Sequence, residues 1–180
     1  MNSRFIFVLG GARSGKSSFA LRLGEELYED SCKGKTLNEK IFLATARALD
    51  CEMEERIALH KKERGSLWRT IEEPKDILSH LQVEVNAGVF LVDCLTLWIS
   101  NLMETNSDNE ITDLASKTAK VCKNSSCTVI AVSNEVGLGL VPTTPLGRRF
   151  RDLSGRVNQI MASSADEVYL LTAGIAQKIK

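Results

Sequence analysis

Histidine is scarce in this chain, occurring twice in 180 residues, and no charge of either sign is in excess, since 23 basic and 23 acidic residues cancel. A balanced charge gives no case for a nucleic-acid wrapper or a membrane-surface protein, both of which depend on basic excess. The five cysteines, Cys32, Cys51, Cys94, Cys122 and Cys127, are odd in number and form no CxxC pair. None stands near a histidine at metal-ligand spacing, so free thiols in a reducing cytosol are expected. No apolar run approaches the roughly 20 residues of a membrane span. There is no charged leader with a small-residue cleavage site, no internal repeat and no low-complexity stretch. These absences predict a single cytoplasmic domain over residues 1–180, large enough to bury a core without disulfide or metal staples.

Against them stand five short apolar runs, at residues 5–9, 41–44, 89–92, 128–132 and 168–171. They are nearly continuous in Val, Ile, Leu and Phe and do not alternate, as strands buried on both faces read. Helical patterns over residues 18–28, 53–64, 74–85, 114–121 and 155–165 separate them. That alternation predicts a doubly wound, mostly parallel α/β sheet. Ala173-Gly174 between two apolar runs predicts a terminal hairpin that adds one antiparallel edge strand. Residues 30–40 and 105–110 read as surface loops.

Gly10-Gly11-Ala12-Arg13-Ser14-Gly15-Lys16-Ser17 satisfies GxxxxGK[ST] in full, after a strand and before a helix, which is the context the motif needs. Glycines let successive N–H groups turn inward around phosphate oxygens, and the following helix directs its positive end at the same anion. Lys16 is expected to reach the β- and γ-phosphates, and the Ser17 hydroxyl to hold Mg²⁺. Asp93, closing the run Val89-Phe90-Leu91-Val92, is the expected second metal ligand.

Of the two histidines, His80 falls in an ordinary amphipathic stretch and reads as a surface residue. Glu52, Arg56, His60 and Arg64 follow at four-residue spacing along one helix face, with Lys61 and Lys62 alongside. Flanking cations bias His60 toward neutral, nucleophilic imidazole and suit a triphosphate. By spacing alone, a solvated face with a Glu52–Arg56 pair remains the stronger reading.

The ordered series of motifs goes further. After the phosphate loop come Ala44-Thr45-Ala46, then Asp50-x-Glu52-Met53-x-x-Arg56-Ile57-x-x-His60-Lys61-x-x-Arg64, and Trp68-Arg69-Thr70-x-Glu72. Asp93-Cys94-Leu95-Thr96, Asn134-Glu135-Val136-Gly137-x-Gly139-x-Val141-Pro142 and Phe150-Arg151-Asp152-x-x-Gly155-Arg156-Val157-Asn158-Gln159 follow, then Ala165-Asp166-Glu167-Val168. Over almost its whole length the chain resembles the bifunctional adenosylcobinamide kinase/adenosylcobinamide-phosphate guanylyltransferases of cobalamin biosynthesis. The resemblance implies a RecA-like P-loop NTPase fold and a homotrimer. It implies phosphorylation of adenosylcobinamide by ATP or GTP, then transfer of GMP from GTP to adenosylcobinamide phosphate. It assigns a guanylyl-histidine to His60, reversing the reading from spacing. It also places nucleotide contacts on Gly10, Gly11, Ala12, Arg13, Ser14, Gly15, Lys16, Ser17, Ala44, Thr45, Ala46, Lys61, Lys62, Glu63, Arg64, Glu72 and Asp93, with Glu72 accepting from guanine or ribose. Residues 134–142 and the arginines 148, 149, 151 and 156 are open between receiving a phosphorylated substrate and a structural role. The chain departs from the family in a longer 30–40 segment and in Leu59, where a second histidine can occur. A P-loop small-molecule kinase without nucleotidyl transfer would keep Lys16, Ser17 and Asp93 but have no use for His60. A RecA-like motor on nucleic acid is the more distant alternative.

Overall fold

The computed structural model describes residues 3–31, 39–48, 50–64, 67–84 and 87–180, with the side chains of Ser31, Arg56, His60 and Glu63 outside that description. The elements run β1 (Phe5–Gly10), α1 (Lys16–Ser31), β2 (Lys40–Ala44), α2 (Cys51–Arg64), β3 (Trp68–Glu72), α3 (Ile77–Val83) and β4 (Val89–Asp93). They continue with α4 (Leu95–Leu102), α5 (Asp108–Asn124), β5 (Thr128–Asn134), α6 (Pro145–Ser164), β6 (Glu167–Thr172) and β7 (Ile175–Lys178).

The strands form one sheet in the order β3-β2-β4-β5-β1-β6-β7. All pairs are parallel except β6 with β7. The five apolar runs are strands, as expected, because both sheet faces are covered. Successive side chains of a strand point to opposite faces. Phe5, Phe7 and Leu9 therefore join Phe90, Val92 and Val129 under α3, α4, α5 and α6. Ile6 and Val8 join Phe42, Leu91 and Ile130 under Ala20, Phe19, Leu23 and Leu27 of α1.

Several boundaries differ from the sequence expectations. β3 has no apolar run; as the edge strand it is mostly exposed, with Trp68 buried and Ile71 half-buried. α4 is an addition to the expected helices, and its Leu95, Trp98, Ile99 and Leu102 fill the larger core. The expected 105–110 loop ends at Ser107, which caps α5 in a reciprocal box with Glu110. α6 begins at Pro145 behind a Thr144 cap, ten residues before its expected start at residue 155. Of the 30–40 excursion, Asp30 and Ser31 finish α1 and Lys40 opens β2, while residues 32–38, with Cys32, lie outside the described residues. The other four cysteines are free. Among the described residues no helix is long and apolar enough to cross a membrane.

Candidate active site

Parallel register brings the carboxyl ends of the parallel strands to one edge. Gly10 pairs with Asn134 and Leu171, and Ala44 with Asp93 and Glu72. The chain leaves β1 toward the face covered by α1 but leaves β5 toward the face covered by α6. Two neighbouring strands whose continuations diverge open a crevice between them, the usual ligand position in open α/β sheets.

The phosphate loop forms one wall of this crevice. A Cβ on Gly10 would stand 2.5 Å from the Leu171 carbonyl oxygen, so only glycine allows β6 to pass so near. Gly15 has φ +91°, a left-handed value that glycine adopts without strain. Lys16 is 7 % exposed and its Nζ donates to the Gly11 carbonyl at 2.5 Å, turned onto the loop it serves. Burial lowers its pKa, against the opposing charge of nearby Asp93. Ser14 Oγ is buried without a hydrogen-bond partner inside the same loop, and Ser17 is half-buried at the first turn of α1.

Asp93 closes β4, half-buried, and its setting is built by Thr45. The Thr45 hydroxyl donates to the Cys94 carbonyl at 2.7 Å and accepts from the Cys94 amide at 2.9 Å. The Thr45 amide donates to the Asp93 carbonyl at 3.2 Å. Asn101 of α4 then donates to the carbonyls of Thr45 and Pro74, at 2.9 and 3.1 Å. Ala44 and Ala46 flank this brace, half-buried. Sequence reasoning misses Asn101, because an asparagine inside a helix without periodic pattern carries no motif. Thr96 likewise ties the next strand, its hydroxyl accepting from the Asn134 amide at 2.7 Å.

α2 contributes unevenly. Lys61 and Lys62 are exposed, and Lys61 Nζ pairs with Glu72 Oε1 at 2.5 Å, joining α2 to the carboxylate at the end of β3. Arg64 is 7 % exposed, with its guanidinium carbon 3.8 Å above the Phe42 ring and Nε unpaired. Burial lowers its pKa, while Asp93 and Glu72 act in the opposite sense. His60 lies one turn earlier on the same helix; its imidazole, like the side chains of Arg56 and Glu63, is outside the described residues. His80 is half-buried, with its Nε2 3.8 Å from Glu73 Oε2.

The arginines of α6 are largely spoken for. Arg148 donates to the Pro142 and Thr143 carbonyls, Arg149 to Asp108 and the Asn106 carbonyl, and Arg151 to Asp152. Among the described residues no group of three His, Cys, Asp or Glu side chains forms a metal cage.

A phosphate loop at the head of β1, a carboxylate at the end of β4 and a terminal antiparallel strand define a RecA-like P-loop nucleotide-binding α/β protein. The fold is shared with an ATPase domain of solved structure, at TM-score 0.53 and 14 % identity, over 93 % of this chain and 68 % of that one. The family described as "Cobinamide kinase / cobinamide phosphate guanyltransferase" matches residues 6–179. The "Bifunctional adenosylcobalamin biosynthesis protein CobU" of Escherichia coli (strain K12) is 38 % identical, over 97 % of this chain and 99 % of the relative. The corresponding CobP of Pseudomonas aeruginosa is also 38 % identical, over 96 % of this chain and 95 % of the relative. This chain belongs to the cobinamide kinase/cobinamide phosphate guanyltransferase family.

Proposed function

We propose that this chain phosphorylates the aminopropanol hydroxyl of adenosylcobinamide with ATP or GTP and then, at a second step, transfers GMP from GTP to adenosylcobinamide phosphate through a guanylyl-His60 intermediate. In the first step the hydroxyl oxygen bonds the γ-phosphorus, the β–γ bridging bond breaks, and the hydroxyl proton leaves to solvent. In the second, a neutral imidazole nitrogen of His60 bonds the α-phosphorus and pyrophosphate departs. The phosphate oxygen of the acceptor then attacks that phosphorus, the P–N bond breaks, and adenosylcobinamide-GDP is released.

The observation that carries this reading is Arg64. It is a buried cation with an unpaired donor, one turn from His60, under the influence of Asp93 beside Lys16. A helix anchored at that point supports a reading in which its histidine-bearing turn serves the phosphate site. Arg64 and Lys16 supply donors for charge that develops on the phosphorus and on the leaving pyrophosphate. Gly10 to Ser17 would hold the β- and γ-phosphates, with Ala44, Thr45, Ala46, Lys61, Lys62, Glu63 and Glu72 toward the nucleoside. Ser17 and Asp93 provide hard oxygen donors, which suits Mg²⁺ because that ion takes few protein ligands and completes its shell with phosphate and water. Bound there, Mg²⁺ would neutralise phosphate charge.

We read residues 1–180 as one catalytic domain, since all seven strands share one sheet, acting as a cytoplasmic homotrimer without nucleic-acid partners. The balanced charge and the exposed Leu59 and Leu67 around the end of α2 support this. Intact-mass measurement after incubation with GTP tests the mechanism. An acid-labile adduct equal to GMP, absent in His60→Ala, is expected. A kinase-active protein that never carries the adduct would leave a small-molecule P-loop kinase in its place.

A further inference from the structure

The second wall of the crevice is the connection from β5 to α6, residues 135–144, and it has a property the nucleotide chemistry does not use. Leu138, Leu140 and Val141 on it are 84, 96 and 65 % exposed, and Leu146 just beyond is 66 % exposed. Apolar side chains gathered this closely on a surface mark a binding face.

The segment is also held in place. At its start the Glu135 amide donates to the Gly10 carbonyl at 3.0 Å, joining it to the phosphate loop. The Gly137 amide donates to Glu135 Oε1 at 2.8 Å. At its end Arg148 donates to the carbonyls of Pro142 and Thr143, and the Thr144 side chain accepts from the Gly147 amide. Below it, Asn158, which is 4 % exposed, donates to the Asn134 carbonyl at 3.1 Å. A loop braced at both ends while its leucines point to water is preorganised for an apolar ligand, so little ordering entropy is lost on binding.

We infer that this loop is the platform for the corrin macrocycle of the acceptor, with Leu138, Leu140 and Val141 against its methyl-rich rim. The inference rests on the reading above, in which the acceptor is a corrinoid. The reacting hydroxyl is at the end of the aminopropanol arm, so in this proposal that arm reaches toward the γ-phosphate. The much larger macrocycle then rests outside, on the exposed apolar side chains of the segment that starts at the Gly10 carbonyl. The main-chain groups of residues 136–141 between the leucines can meet the amide side chains of the corrin.

The test is a Leu138→Ser/Leu140→Ser variant, with Leu138→Met/Leu140→Met as the conservative partner. Equilibrium binding of adenosylcobinamide is measured by its visible absorbance in the presence of a non-hydrolysable GTP analogue. Binding of that analogue and sedimentation are measured in parallel. Corrinoid affinity at least 10-fold weaker in the serine variant, retained in the methionine variant, with nucleotide affinity and sedimentation unchanged, is the expected result. Unchanged corrinoid affinity overturns the proposal. Weaker affinity accompanied by dissociation also overturns it and assigns the patch to a second copy of the chain. Failure to find a guanylyl adduct with corrinoid binding intact would sink the histidine mechanism and leave the platform standing.

Discussion

The amide of Gly174, in the turn of the terminal hairpin, donates to the carbonyl of Ser14 at 3.0 Å. The last two strands of the chain thus brace the loop near its beginning. Gly174 has φ +82°, and its neighbour Ala173 has φ 50°, so both turn residues are left-handed, as a two-residue hairpin requires. The turn comes so near the loop that a Cβ on Gly15 would lie 3.4 Å from the Gly174 Cα.

Gly174→Val should therefore act twice. A branched residue at that φ costs about 1–2 kcal/mol, which a denaturation midpoint would register. The displaced turn should also weaken equilibrium binding of GTP more than this stability loss explains. Unaltered GTP affinity in a destabilised variant would make the turn a passive edge.

Lys16 and His60 should separate the two activities. Losing a charge-assisted contact to a phosphate costs about 1.5–3 kcal/mol, so Lys16→Ala should reduce both kinase and guanylyl-transfer rates by roughly 10- to 150-fold. His60→Ala should abolish transfer and leave phosphorylation of adenosylcobinamide measurable by phosphate incorporation. Equal loss of both would make His60 structural.

Thr45→Val keeps shape and removes the hydroxyl bonded to both main-chain groups of Cys94; the carbonyl keeps the Trp98 amide at 3.2 Å, and the Cys94 amide loses its partner. Leaving buried groups unpaired costs about 1–3 kcal/mol. Because the same residue holds the Asp93 main chain, the Mg²⁺ concentration needed for half-maximal activity should rise as well. A magnesium titration beside urea unfolding checks both.

Acid stability should depend on Glu167. Burial alone would raise its pKa, but hydrogen bonds from Tyr169 and Arg4 and the Lys178 ion pair lower it from 4.5 to about 2. A carboxylate with a depressed folded pKa stabilises fully above its unfolded pKa and loses that contribution as pH falls toward the folded one. Urea midpoints should thus fall between about pH 5 and 2, and Glu167→Gln should flatten this part of the profile.

What the chain reveals in advance follows physical locality. The phosphate loop, the carboxylate at the end of β4 and the terminal turn each occupy a few consecutive residues whose chemistry is local, so position and type are both legible. The buried strands are legible because two covered faces demand unbroken apolar runs. β3 is not, because an edge strand with one wet face is short and mixed in composition. α4 is not, because its burial on most sides removes the helical periodicity. The box of Ser107 and Glu110 and the Thr144-Pro145 start are local signals too, and they mark helix starts that hydrophobic periodicity alone places too late.

The chain alone determined a phosphate-loop motif, a carboxylate closing an apolar strand, a helix with a histidine among cations, and the family to which they belong, because each is written in side-chain type and spacing. Only tertiary structure decided that Thr45 and Asn101 hold the Asp93 strand end, that Arg64 is buried on Phe42, and that Gly174 braces Ser14. These relations join residues distant in sequence, mostly through backbone groups, and a main-chain amide or carbonyl leaves no trace in the identity of the residue that bears it.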